Sequence, residues 1–288
     1  MAVNTTNASE LTAEQVSTLL VQPLEHASQF LAAGPHLFDT NGSPVRIPKA
    51  PKSIAEDLNF IGEGQLIDDQ GVQFDEAQLL PSTMKSVKTL VRFSNEMARQ
   101  SIVALDTVLQ QRLVNDVATR MDAQFLGDAG DGIETPQGLF AWAGTQDLAV
   151  GGALTVDAIL EAQGAALGAA VNPEALTLFV RPEDYMAIRG QKDADGRYLV
   201  QPDVQAGGLV SPILGARVAP SRAVPAGRAA LVDMSQVAVA RDVAPAVTLL
   251  DQTFGAYDQQ AIRVVTRMDA AALNPEAVIT LSGITAGA

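Results

Sequence analysis

Within residues 101–126 the apolar positions form one ladder. Leu105, Leu109, Leu113, Val117, Met121 and Phe125 recur every four residues, Ile102, Val114 and Ala118 widen the stripe, and Asp106, Gln110, Gln111, Asn115, Asp116 and Arg120 take the other faces. The spacing predicts a long amphipathic helix over 101–126, with no glycine or proline inside it and Gly127 directly behind it as a stop. At 1.5 Å per residue it would run roughly 39 Å. Because an i,i+4 ladder winds around the helix, its stripe should meet different partners along that length.

Elsewhere the period shortens. Residues 85–91, 176–180, 213–218, 246–250, 260–269 and 278–281 read as strands, and 228–239 as two strands separated by Asp233-Met234-Ser235. In 260–269, Ile262, Val264 and Thr266 alternate with Arg263, Val265 and Arg267, which places the two arginines together on the face away from Ile262 and Val264. A helix capped by Thr155 carries Val156, Ile159, Leu160 and Leu167 up to a stop at Pro173, and another opens on Pro182-Glu183-Asp184-Tyr185, with acids where the first turn favours them. Ahead of the long helix, residues 1–40 hold two short amphipathic pieces. One is capped at Thr12, with Val16, Leu19 and Leu20 before Pro23, and the other covers 24–31; both are too short to stand alone. They are expected to form an arm that can be removed through residue 30 without loss of the fold. Residues 41–88 have turn formers at Asn41-Gly42 and Gly62-Glu63-Gly64 and short alternating segments, the pattern of a two-stranded excursion that needs an outside surface.

Composition narrows the function classes. Of 288 residues, 47% are hydrophobic, enough for a substantial core in one large domain or two smaller ones. A net charge of −14 argues against wrapping nucleic acid by phosphate neutralisation. With no cysteine, stability has to come from packing and oligomerisation, and no apolar run approaches the length of a membrane span. Catalytic constellations are missing. His26 and His36 stand ten residues apart with no carboxylate at ligand spacing, and neither a nucleophile elbow nor a phosphate loop is present. Asp128, Asp131 and Glu134 depart from the calcium-loop pattern and read as a turn. No cofactor, metal or catalytic residue is expected. Seven acids and no base lie between Glu56 and Glu76, which makes Asp57, Glu63, Asp68 and Asp69 candidates for contact between subunits, with Arg263 and Arg267 as their counterparts on a neighbour.

The order of arm, β excursion, VKTLVRFSNEMARQS, long helix, FLGD at Phe125–Asp128 and the turn Pro136-Gln137-Gly138 resembles the major capsid proteins of tailed bacteriophages with the HK97-type fold. The resemblance spans essentially the whole chain. It implies an α+β fold with an N-terminal arm (1–40), an extended β-hairpin loop (41–88), a peripheral domain (89–150) built on a spine helix, an axial domain (151–243), and a return of 244–288 to the peripheral domain. It also implies a major capsid protein that assembles as hexamers and pentamers into an icosahedral head shell around double-stranded DNA, held without sequence-specific binding. Its expected place is the virion, after assembly in the host cytoplasm. A separate scaffolding protein, a portal and a cement protein are the partners implied, and no membrane. Some relatives crosslink a loop lysine to a neighbour's asparagine; Lys49, Lys52 and Lys85 are available here, but Asn274 does not identify an acceptor. An encapsulin-like nanocompartment shell is the structural alternative, and a soluble α/β enzyme the alternative of a different class.

Overall fold

The computed structural model describes residues 28–48, 76–96, 105–169, 171–200, 210, 212–250 and 252–285. In chain order these form α1 (Gln29–Ala32), β1 (His36–Thr40), β2 (Val45–Pro48), β3 (Glu76–Leu79), β4 (Val87–Ser94) and α2 (Leu105–Phe125). There follow β5 (Gln146–Ala149), α3 (Val156–Gly168), β6 (Leu176–Val180), α4 (Pro182–Arg189), β7 (Arg217–Pro220), β8 (Ala229–Asp233), β9 (Val237–Leu250), β10 (Gln259–Ala272) and β11 (Val278–Ser282).

The ladder reads true through the described part of the long helix. Leu113, Val117, Met121 and Phe125 are buried, as are their neighbours Val114, Ala118 and Leu126, while Gln111, Arg112, Asn115, Asp116, Thr119 and Arg120 are exposed. The stripe lies on a four-stranded sheet of order β1-β9-β10-β4, where it meets Phe93, Ile262, Val264 and Met268 in one core. Pairing of β4 with β10 and of β10 with β9 is antiparallel, and β1 joins β9 in parallel.

The second sheet has five strands in the order β5-β11-β8-β6-β7. Every residue of β6 and β8 is buried, which is why both sequences are nearly unbroken apolar runs. Phe179, Ala230, Val232 and Val278 extend the core under α2, whereas Leu178, Val180, Leu231, Ile279 and Leu281 form a separate core with Ile159, Ala162 and Ala166 of α3 and Tyr185 and Ile188 of α4. Thr155 caps α3 by accepting from the Ala158 amide at 3.3 Å. Buried Asp233 at the end of β8 accepts from the amide and hydroxyl of Ser235 and from the Asn172 amide, so it starts the turn into β9 and ties it to the entry of β6.

Three sequence expectations change. Residues 28–40 are part of the body. Phe30 is fully buried, with its ring 5.1 Å from Phe125 and 6.1 Å from Phe179, and β1 completes a sheet edge; the aromatic anchor outweighs the polar composition of the segment around it. The strands read separately at the end of 228–239 and at 246–250 are one 14-residue strand, β9, which runs straight across the boundary drawn at 243. Residues 244–288 do not return as a unit to the first sheet. Asn274 accepts from the Glu276 amide and caps a 3₁₀ turn at Pro275–Ala277, which delivers β11 to β8 and β5 of the second sheet.

Candidate assembly surfaces

Strands β2 and β3 form an antiparallel pair of their own, with Val45 opposite Leu79 and Pro48 opposite Glu76. Its root is held by its own subunit. Leu79, Leu80 and Met84 are buried against Ala238 and Ala240 of β9, with Val45 and Ile47 packed on them. Leu80 takes a left-handed backbone (φ 52°), uncommon for a branched side chain, and its amide donates to the buried Asp269 carboxylate at 2.9 Å. Lys85, one of the crosslink lysines considered from sequence, forms an ion pair with Glu134, and Lys49 and Lys52 lie outside the described residues.

The two arginines of β10 part company. Arg263 is exposed on the outer face of the sheet, directly opposite the exposed Leu90, with the exposed Lys88 and Arg92 on the same face of β4. The Arg92 guanidinium also lies 5.1 Å from the centre of the Phe254 ring. A register shift separates Val265 from Arg267, and Arg267 is drawn into the subunit. It donates to Asp242 at 3.0 Å and to the Pro81 carbonyl at 2.6 Å, with both charged side chains about 15% exposed or less. Arg267 is therefore engaged within its own chain, by Asp242 and the Pro81 carbonyl. The acids proposed to meet it, Asp57, Glu63, Asp68 and Asp69, lie outside the described residues, as do His26 and Thr12. Leu105 and Leu109 fall in the first turns of α2.

Beyond α2 the two sequence steps come together. Gly138 packs so closely on Gly127 that a Cβ on it would stand 2.2 Å from the Gly127 carbonyl oxygen, and a Cβ on Gly127 would stand 2.7 Å from the Ala123 carbonyl oxygen, so each turn is built on glycine for its own contact. Gln124 donates to the Pro136 carbonyl at 2.7 Å and closes the same loop. The Asp128–Glu134 stretch is a turn: one oxygen of Asp131 accepts from the amides of Ile133, Glu134 and Thr135 and from the Thr135 hydroxyl, which holds that carboxyl well below its ordinary range. Among the described residues no group of three His, Asp or Glu is placed to hold a metal ion, and no helix is long and apolar enough to cross a membrane. The chain just after β4 is pinned to the β9–β10 hairpin, with the Asn95 side chain donating to Asp258 at 2.6 Å.

Two buried carboxylates escaped sequence reasoning. Asp122 accepts from the Ser28 hydroxyl at 2.5 Å and from the amides of Gln29 and Phe30 at 2.8 and 3.2 Å, so it docks the start of α1 on α2. Burial pushes its carboxyl above the ordinary value, against the lowering effect of those hydrogen bonds. Its position was visible: Val114, Ala118, Asp122 and Leu126 form a second i,i+4 row beside the first, and an acid in that row needs a partner. Asp269 had no such signal, because what covers it comes from 189 residues earlier in the chain.

The sequence matches the model of the phage capsid family over residues 9–283. Comparison with curated proteins returns no match. Among solved structures, the fold is similar to the capsid of an empty GTA particle computed with C5 symmetry (TM-score 0.70, 18% identity, 89% of this chain and 90% of that one covered). It is similar also to a chain of Mycobacterium phage Cain (TM-score 0.71, 17% identity, 91% of both chains) and to the virus-like particle of Pyrococcus furiosus (TM-score 0.60, 12% identity, 93% and 98%). With a family match that runs nearly end to end and an overall fold similar to that of capsid chains, this chain belongs to the phage capsid family and has an α+β fold related to the HK97-type major capsid proteins.

Proposed function

We propose that the chain is a major capsid protein whose copies close into an icosahedral head shell of hexamers and pentamers around double-stranded DNA, and that its work is structural rather than catalytic. The observation that carries this reading is the family match over residues 9–283. On this reading α2 is the spine helix. The four-stranded sheet with α2 is the core of the peripheral domain, the five-stranded sheet with α3 and α4 is the axial domain, and β2–β3 is the base of the extended loop. Rings with five- and six-fold symmetry need one surface to meet a different surface on the next copy. Residues 49–75 join β2 to β3, 27 residues of chain, enough for a there-and-back reach of roughly 40 Å when extended. The acids of that segment, Asp57, Glu63, Asp68 and Asp69, would lie on the basic outer face of a neighbour at Lys88, Arg92 and Arg263. A net charge of −14 suits a wall that does not adhere to its polyanionic content. A portal, a separate scaffolding protein and a cement protein are the partners this role entails, with the virion as its location and the bacterial cytoplasm as the place of assembly.

The similarity to the Pyrococcus furiosus virus-like particle over 93% of this chain supports a second reading, an encapsulin-like compartment for protein cargo. Negative-stain imaging of the purified chain tests the shared part: closed shells with five-fold vertices are expected, and a preparation that stays monomeric under all assembly conditions would overturn it. Nuclease-protected DNA inside particles recovered from the native host supports the head shell, and a protein cargo without DNA supports the compartment.

A further inference from the structure

The side chains of Arg267 and Asp269 grip two successive backbone groups at the point where the strand pair re-enters the body. Asp269 accepts from the Leu80 amide and Arg267 donates to the Pro81 carbonyl, 2.9 and 2.6 Å respectively. The other Asp269 oxygen accepts from the Ala270 amide at 2.9 Å, and Arg267 is braced by Asp242 of β9. Apolar packing alone would let this root slide, whereas two side chains spaced i,i+2 on one strand, bonded to adjacent backbone groups on another segment, fix one register. The residue so held has a left-handed backbone, a conformation that leucine keeps only where its surroundings impose it.

We propose that Arg267 and Asp269 are a pH-responsive clasp on the root of the extended loop, tight with the Asp269 carboxyl protonated and loosened by its ionisation. Among the described residues, the charged groups around Asp269 are few. Arg267 lies on its own strand and Asp242 reaches it through that guanidinium; on β9 its direct partner is Ala240, and the adjacent Arg241 is engaged by Asp39. The root itself contributes backbone and the apolar side chains of Leu79, Leu80 and Met84.

Burial is the largest influence on this carboxyl and holds it up at about 6 against an ordinary 3.8, with the two amides and Arg267 pulling the other way. Opening the root returns the group to water and to its ordinary value. The closed state therefore binds the proton more tightly than the open one, and closure weakens as pH rises from about 4 through about 6. Two pH units of difference correspond to roughly a hundred-fold change in the opening equilibrium. For a shell, the consequence is a loop whose exit angle responds to pH, and that consequence alone rests on the capsid reading.

Hydrogen exchange measured by mass spectrometry on the purified chain, with each rate divided by that of an unstructured chain at the same pH, tests the clasp directly. Protection of peptides covering 76–84 should fall by roughly twenty- to thirty-fold between pH 4.5 and 7.5 while peptides covering β8 stay constant. Asp269→Asn should remove the pH dependence, and Arg267→Lys should lower protection of 76–84 at both pH values while leaving it pH-dependent. Wild-type protection that is flat over this range, or that changes equally in β8, overturns the proposal whether or not either variant folds. An Asp269→Asn protein that folds and keeps the wild-type pH dependence overturns it too. None of these readouts depends on shell formation, so failure of the clasp leaves the capsid reading standing, and failure to form shells leaves the clasp.

Discussion

Removal of the Asp122 carboxylate should loosen the N-terminal end of the body more than its single position suggests. Asp122→Ala strands three donors, the Ser28 hydroxyl and the amides of Gln29 and Phe30, and both Ser28 and Phe30 are fully buried. Each stranded donor costs about 1–3 kcal/mol, and relief of the carboxylate's own burial offsets part of that sum. A net loss of about 3 kcal/mol is expected, roughly 6–10 °C in melting temperature for a chain of this size. Asp122→Asn keeps one good acceptor and should cost about half as much. Because burial raises this carboxyl in the folded state, the native protein takes up its proton before the unfolded chain does. The contribution of Asp122 to stability is greatest with the group protonated and falls as pH climbs from the ordinary 3.8 through the raised value, so Asp122→Asn should flatten that part of the stability curve. Denaturant unfolding of the single and double variants with Ser28→Ala supplies the cycle. A loss below about 0.5 kcal/mol for Asp122→Ala, or strict additivity with Ser28→Ala, would refute the docking role.

Other outcomes follow from the same geometry. Leu113→Asp puts a carboxylate into the core under α2 and should destabilise the subunit by several kcal/mol, while Gln111→Asp on the exposed face should be tolerated; soluble yield and thermal melting compare the two. Gly138→Ala drives a methyl into the Gly127 carbonyl and should cost about 2–4 kcal/mol in the same melting assay. Deletion of residues 2–27 should leave a folded chain by circular dichroism, whereas deletion through Phe30 removes a buried aromatic and should cost at least the about 3–5 kcal/mol of Phe30→Ala. Asp68→Lys with Asp69→Lys should shift the midpoint of an assembly titration, by about 1 kcal/mol per contact, more at low salt than at high and without change in subunit melting. An unchanged midpoint at both salt concentrations removes that pair from the contact.

The parts of the fold that were legible in the sequence are those in which local period and burial agree. The ladder from Leu113 to Phe125 needs only its own spacing to announce a buried helical face, and the apolar runs of β6 and β8 announce strands covered on both sides. Capping at Thr155 and the turn at Asp131 are equally local. What could not be read depends on distant covering. Arg263 and Arg267 stand on one face of an alternating strand, yet the root of the strand pair lies over the second and not the first, so one stays outside and the other is enclosed. The destination of β11 was hidden for a similar reason: an apolar strand of five residues fits either sheet, and the choice is made by the turn at Pro275–Ala277 and by pairing with β8.

Asp122 and Asp269 show one physical device used twice. The two apolar cores join the sheets and helices into a body, but apolar contact is non-directional and specifies neither the angle nor the register of an added segment. At the N-terminal end and at the end of the β2–β3 pair, the body instead offers a buried carboxylate to backbone amides of the incoming chain. Each carboxylate carries a desolvation cost, visible in the raised acid constants, and each returns a bond that forms only in one alignment. Replacement of either by a leucine of similar reach would relieve that cost and leave the apolar packing, so overall stability could survive the change. The alignment would not, and if, as proposed, the arm and loop meet neighbours in a shell, the defect should register in assembly before it registers in melting.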